Sequence, residues 1–280
     1  MVARRHRIRI ARDRFMVVLM VLAAALCLLP LIDILWIVAL RGAPGFSLAT
    51  LITPTKGVAG GLANAIVGTL VLVLAALVLA APLGIFGALF VSELAPRRLA
   101  SFIRNAAETL TGVPSIVLGY FGYVTMVVWF GWGFSLLAAA ITLMIMMLPY
   151  ILRSSELAMR KVPEELRRAS LALGATPTAT ALRIVLRASI PGILTGVILA
   201  TGIAMGETAP LIYTAGWSSY MPTGQLVHSP IGYLTYVVWT YINEPFDSAH
   251  ALAYAGAFVL ILLVLCFNVI GRLLVRRSAR

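Results

Sequence analysis

The chain predicts an all-α membrane protein with six transmembrane helices, and three observations predict it. Hydrophobic residues fill 61% of its 280 positions and charged residues only 11%, more apolar side chain than a water-soluble core can bury. Apolar runs of about 20 residues, the length that crosses a hydrocarbon core of about 30 Å, recur six times. The lysines and arginines are sharply partitioned among the segments between those runs.

The spans fall at residues 16–40, 62–92, 114–130, 134–152, 192–213 and 250–275. The second is longer than one upright crossing and holds Pro82, Gly84 and Gly87, which predicts a kink or a tilt. Of 22 Lys and Arg, 20 precede span one, lie between spans two and three or four and five, or end span six. Only Arg41 and Lys56 are left for the opposite side, so the positive-inside rule places both termini and the loop 153–191 in the cytoplasm. The net charge of +12 then reads as basic flanks on anionic headgroups, and nucleic acid is not an expected partner.

The N-terminal apolar run continues to Leu40, broken only by Asp33, with no small-x-small cleavage pattern after it. It reads as a retained helix rather than a signal peptide. Leu26 stands where a lipoprotein signal needs a small residue before Cys27, and Cys27 and Cys266 read as packing residues with no disulfide. The chain lacks a Gly-x-x-x-x-Gly-Lys-Ser/Thr loop and paired His/Cys spacing, and His6, His228 and His250 are far apart. No catalytic, metal or cofactor site is expected in it.

The segment 163–191 is the one long charged, helix-prone piece between apolar spans. Pro163, Glu164 and Glu165 make a helix start, with acids at the positive end of the dipole. Leu166, Ala169, Ser170 and Leu173 share one face, Gly174 ends the helix, and Thr176 with Pro177 starts a second. Ala169, Ala172 and Ala175 keep the turn slim enough to enter a groove on a partner, while the same hairpin also suits the headgroup surface.

The spacing of this loop resembles that of inner-membrane permeases of binding-protein-dependent ABC importers. That family carries Glu-Ala-Ala, three residues, Gly, nine residues, then Ile-x-Leu-Pro. Here Arg168-Ala169-Ser170, Gly174, Ile184 and Leu186 hold those positions, with Arg168 in place of the acid and Arg187 in place of the proline. Further stretches resemble the phosphate-importing branch: Ser92-Glu93-Leu94-Ala95-Pro96, Pro114-Ser115-Ile116-Val117-Leu118-Gly119 and Gly206-Glu207-Thr208-Ala209-Pro210-Leu211. The resemblance implies a type I importer fold in the bacterial inner membrane, with a permease domain over 57–275. Ahead of it come a cytoplasmic tail, first helix and outer loop over 1–56, and a basic tail follows at 276–280.

It also implies partners: a second, related permease subunit, two ATP-binding subunits that use the ATP, a periplasmic or lipid-anchored phosphate-binding protein, and membrane lipids. Ala169, Ser170, Leu173, Gly174, Ile184 and Leu186 become the ATPase-coupling residues. A permease for sulfate or molybdate, and a scaffold or secondary transporter without an ATPase, are the alternatives.

For the substrate path the expectation rests on Glu207, Thr208 and Ser115. Asp33 and Glu207 are the ionisable residues within the expected spans, and Glu207 lies about 22 Å beyond the cytoplasmic start of span five, in the outer half of the bilayer. A carboxylate there faces protein or water and either accepts a hydrogen bond from a protonated oxyanion or pairs with an Arg of a neighbouring subunit. Ser115 opens span three beside free backbone N–H groups at what charge placement makes the cytoplasmic end, as a cap, a packing residue or an exit contact. Gly192, Gly196, Gly202 and Gly206 predict close helix contact along span five, and Met144, Met146 and Met147 predict ordinary packing. The loop 41–61 reads as structureless, and the aromatic loop 214–249 as an interfacial belt or short outer helices.

Overall fold

The computed structural model of the chain describes the backbone of residues 2–278 and the side chains of residues 12–276. The side chains of the basic residues at 4–9, of His6 and of most of the tail 276–280 lie outside the described residues.

Helix α1 (Val2–Gly42) carries span one, and α2 (Leu48–Ile52) with the hairpin β1 (Thr55–Lys56) and β2 (Ala59–Gly60) fills the first outer loop. Helix α3 (Ala63–Leu89) is span two and runs through Pro82 into a π-helical turn ending at Leu94. An amphipathic α4 (Arg97–Thr111) is followed by α5 (Ser115–Gly122), which continues as π-helix to Trp129. Span four is α6 (Leu136–Arg160), and the charged loop holds α7 (Glu164–Ala172). A short α8 (Pro177–Thr180) passes through a π-helical turn into α9 (Leu186–Met205), span five. Then come α10 (Ala209–Thr214), α11 (Leu234–Tyr241) and the last span, α12 (Asp247–Ser278).

Five of these helical stretches are long and apolar enough to cross a bilayer, and a sixth crossing arises when α4 and α5, bent by 98° to one another, count as one. The expected third span is therefore no upright helix. Ser115–Trp129 reaches roughly 22 Å, short of a bilayer core, and an amphipathic helix with Arg97, Arg98 and Arg104 precedes it. Span four outruns its expected end by eight residues, to Arg160. Span five starts at Pro177 rather than near Gly192, so the second helix of the charged loop is the first part of a transmembrane helix.

Small residues set the spacing of this bundle. A Cβ on Gly84 of α3 would stand 2.7 Å from Cγ2 of Ile151 on α6. On the other flank of α6, Gly192 and Gly196 of α9 back onto Ala158 and Ser154. The core between them gathers Leu72, Ala76 and Ala80 of α3, Leu143, Met147 and Ile151 of α6, and Ala200 and Ala204 of α9. Without a strong hydrophobic drive between helices in lipid, such close approach is the main source of attraction. Gly192 and Gly196 thus serve close contact inside the chain, whereas a Cβ on Gly206 would meet only its own helix, and Met147 is a core residue with Met144 against it.

Charge locks the cytoplasmic end. Glu156 is fully buried on α6 and accepts ion pairs from Arg104 of α4, from Arg153 at 3.0 Å and from Arg160 at 2.9 Å. Arg153 also meets Glu108 at 3.2 Å, so α4 is pinned flat against α6.

The first outer loop departs from expectation, and the second does so in part. In 41–61 the Thr55 hydroxyl donates to the Gly61 carbonyl, and the Asn64 side chain accepts from Thr55 N–H and donates to the Ser218 carbonyl. A loop rich in Gly, Pro and Thr is ordered because buried side-chain hydrogen bonds replace a ladder. The aromatic loop forms the short helix α11, one of the two expected forms, and leaves Tyr220 and Trp239 exposed, but part of it folds inward: Tyr233 and Leu234 are buried, Leu234 N–H donates to Thr69 Oγ1 of α3, and Trp217 stacks on Tyr236 at 4.5 Å. Cys27 and Cys266 are free and exposed on the outside of this chain rather than packed within it. Helix α1 is likewise exposed through its span, Asp33 included, and meets α12 near its outer end, where Gly42 abuts Tyr254 and Phe46 meets Phe258 edge to face.

Replacing Gly84 with leucine is expected to lower the stability of the detergent-solubilised protein by about 1–3 kcal/mol through overpacking against Ile151. Gly131→Leu, where a Cβ meets nothing within 4 Å, is the control for backbone strain alone. Melting temperatures by fluorescence-detected size exclusion check the ordering.

Candidate functional site

Two places on this scaffold concentrate polar chemistry: a helix break inside the membrane and the charged arm at its cytoplasmic face.

The break is Gly206-Glu207-Thr208, between α9 and α10. Helix α9 ends as Gly206 N–H reaches back to the Ile203 carbonyl and Glu207 N–H to Ala204. The Thr208 carbonyl starts α10 by accepting from Leu211 and Ile212, while its side chain makes no cap bond. Interrupted backbone at membrane depth needs substitute partners, and Thr235 of α11 supplies one by donating to the Glu207 carbonyl at 2.8 Å. The Glu207 side chain is half-buried and lies beside the Ser115 hydroxyl. Ser115 reaches it because α5 and α10 pack tightly, Gly119 against Pro210.

The structure thus brings together Ser115 and Glu207, which sequence placed at the cytoplasmic end of a span and in the outer half of the bilayer. The antiparallel pairing of Gly192 with Ala158 and Gly196 with Ser154 carries Glu207 to the level of Leu143 and Met147, near the middle of α6's apolar stretch. Ser115 stands beside Glu207 because the chain bends by 98° between α4 and α5. A residual space of about 10 Å³ lies beside Glu207 among Met146, Tyr150 and Ile203, too small for any oxyanion. On its other side α5 leaves Ile116, Val117, Tyr120, Phe121 and Val124 exposed.

The charged arm is α7, held by Arg167. Its guanidinium donates to both oxygens of Glu93 at 3.1 and 3.0 Å, to the Met159 carbonyl at 2.9 Å, and to the Val162 carbonyl. Ser92 donates to the same carboxylate at 2.7 Å. Hydrogen bonding to Glu93 holds the Arg167 guanidinium above its ordinary range, against the opposing effect of burial. One side chain thereby ties α7 to the ends of spans two and four, a bidentate fork that lysine cannot reproduce.

Of the expected coupling residues, Ala169 and Leu173 point outward, and Leu173 is 90% exposed at the tip. Gly174 turns the chain at φ +83°, and Thr176 caps α8 through Ala179 N–H. Ser170 bonds Thr180 across the hairpin at 2.9 Å, while Ile184 and Leu186 lie half-buried at the start of span five, Leu186 against Val185 and Ile193. The six residues therefore divide between an exposed tip and internal bracing. Arg168 is exposed and pairs with Glu164 at 3.6 Å.

Residues 80–280 match the family described as "Binding-protein-dependent transport system inner membrane component". The chain belongs to that family. It is 45% identical over 258 residues to "Phosphate transport system permease protein PstA 2" of Mycobacterium bovis, covering 90% of this chain and 85% of the relative. It is 36% identical over 266 residues to "Phosphate transport system permease protein PstA" of Yersinia pestis, covering 91% and 88%. Among solved structures, a permease chain from "Inward facing conformations of the MetNI methionine ABC transporter" overlays with a TM-score of 0.65 at 20% identity, across 78% of this chain and 96% of that one. That likeness establishes the type I importer permease fold, and membership makes the chain a transport subunit of the inner membrane working with ATPase and substrate-binding partners.

Within this permease, sequence reasoning missed the Glu93–Arg167 fork and the Glu156 cluster. Arginines three before and four after Glu156 were a readable signal for the second. The first joins residues 74 apart and had none.

Arg167→Gln is expected to raise amide hydrogen exchange across Glu164–Ala172 by about tenfold or more, as a half-buried charge-assisted fork is lost. Arg168→Gln, on an exposed partner, should leave exchange unchanged, and hydrogen–deuterium exchange mass spectrometry compares the two.

Proposed function

We propose that this chain is the transmembrane permease subunit of an ATP-driven phosphate importer, forming one half of the path. The observation that carries the substrate is its 45% identity, over 90% of its length, to a phosphate permease. The site is compatible with it. Ser115 and Glu207 meet at mid-membrane beside the exposed face of α5, where a second, related permease subunit would close the path. Among the described residues the space beside Glu207 with Met146, Tyr150 and Ile203 is only about 10 Å³, and a second subunit would complete the path.

Selectivity follows from the acceptor. The Glu207 carboxylate, beside Ser115, can accept a hydrogen bond from a phosphate that keeps a proton, which sulfate cannot offer. Cations or helix ends that attract the anion come from the second permease, since the arginines nearest this depth are engaged with Glu156. Delivery falls to a periplasmic or lipid-anchored phosphate-binding protein, and two ATP-binding subunits receive the tips formed by Ala169 and Leu173. Both termini lie in the cytoplasm by the placement of the basic residues. The sulfate, molybdate and ATPase-free alternatives have no observation in their favour.

In proteoliposomes holding the assembled importer, Glu207→Gln should lower phosphate over sulfate discrimination by about tenfold, the worth of one hydrogen bond in a dry site. Unchanged phosphate uptake together with unchanged rejection of sulfate would sink the selectivity role. Separately, Ala169→Trp should abolish copurification of the ATP-binding subunits while leaving the permease folded, because Ala169 is exposed and makes no internal contact that a larger side chain must break. Retained copurification would remove the arm from the ATPase interface.

A further inference from the structure

At the basic side of the bundle, Gly271 of α12 backs onto Ile198 of α9, and beside that contact a groove of about 360 Å³ opens between the two helices. Its floor is apolar, made of Ile198, Leu199 and Val275. Along one stripe of α12, Asn268, Arg272 and Arg276 follow at intervals of four and so share a face. Among the described residues no carboxylate pairs with either arginine, since the ion pairs engage Arg104, Arg153, Arg160, Arg167 and Arg168. The other polar groups of the lining are spent locally: Thr195 donates to the Pro191 carbonyl and Asn268 to the Val264 carbonyl.

We propose that this groove binds an anionic phospholipid of the cytoplasmic leaflet, its phosphate between Arg272 and Arg276 and an acyl chain along Ile198 and Leu199. Three features select that occupant. The groove lies at the end of the last span that the positive-inside rule puts at the cytoplasmic headgroups, where the anionic lipids are. It pairs two unsatisfied guanidiniums with a greasy floor, the two-part chemistry of a phospholipid, whereas free phosphate would leave the floor wet. An apolar helix of a neighbouring subunit would instead bury two unpaired cations, which is strongly unfavourable. Leu199 is 57% exposed and Leu273 54% exposed, so this flank of the chain is open to lipid. A lipid wedged here would brace span five, whose other end carries the break at Glu207, against span six.

Native mass spectrometry of the full chain, with whatever subunits copurify, in a neutral detergent under graded phosphatidylglycerol or phosphatidylcholine tests the site. The wild type should retain phosphatidylglycerol over phosphatidylcholine by on the order of tenfold. Arg272→Gln with Arg276→Gln should erase that preference, while the exposed pair Arg97→Gln with Arg98→Gln keeps it. Arg272→Lys with Arg276→Lys, retaining charge, should keep most of it, which guards against a folding defect in the glutamine pair. Equal retention of both lipids, an undiminished preference in the glutamine pair, or displacement of the lipid by inorganic phosphate at matched concentration would each overturn the proposal.

Discussion

Close approach of α6 to α3 on one flank and to α9 on the other is the constraint on which the remaining architecture rests. Gly84 against Ile151, Gly192 against Ala158 and Gly196 against Ser154 leave no room for a Cβ, so three transmembrane helices share one narrow core. In lipid this contact is van der Waals attraction in place of a hydrophobic drive, and it depends on the absence of side chains more than on their presence. Because α9 is held in register along α6, its end at Met205 arrives beside Leu143 and Met147, and the break at Glu207 falls at mid-membrane. A bulkier residue in this seam would displace the site without touching it.

The two polar centres stand at opposite ends of that seam and are built by different rules. At the break, a hydrogen bond repairs interrupted backbone, Thr235 serving the Glu207 carbonyl, and Ser115 lies beside the carboxylate. At the cytoplasmic end, arginines meet carboxylates in bidentate or multiple contacts, Arg167 with Glu93 and three arginines with Glu156. The first arrangement leaves a carboxylate with capacity to accept, which suits a passing ligand. The second leaves none, which suits transmission of force: a push on α7 is delivered through Arg167 to spans two and four, and through Ser170 and Thr180 to the start of span five. The hydrogen bonds of α7 thus reach three helices rather than only the two that flank the loop.

Local chemistry that needs few neighbours was legible in the chain. The left-handed turn at Gly174 and the Thr176 cap stand where glycine's freedom and a hydroxyl before proline indicated. The small-residue stripe of span five and the core position of Met147 follow the same logic. Where reading failed, an element took its role from something distant. The loop 41–61 has no periodicity, yet Asn64 and Thr55 order it through buried hydrogen bonds. The aromatic composition of 214–249 suggests a lipid interface, but Trp217, Tyr233 and Tyr236 stack among themselves beneath it.

Composition and span length determined by themselves that this is an all-helical membrane protein of five to six crossings, and the partition of lysine and arginine sets its charged arm on the basic side. Motif spacing in that arm determined the permease family. Those properties depend on transfer free energies and on spacing along a single chain, which sequence states directly. Only the tertiary structure decided that Ser115 and Glu207 meet, that Glu156 is buried among arginines, and that Arg167 reaches Glu93. Each depends on where one helix bends or ends relative to another: Gly112 and Pro114 mark the break between α4 and α5, but the 98° angle across it is a property of the fold.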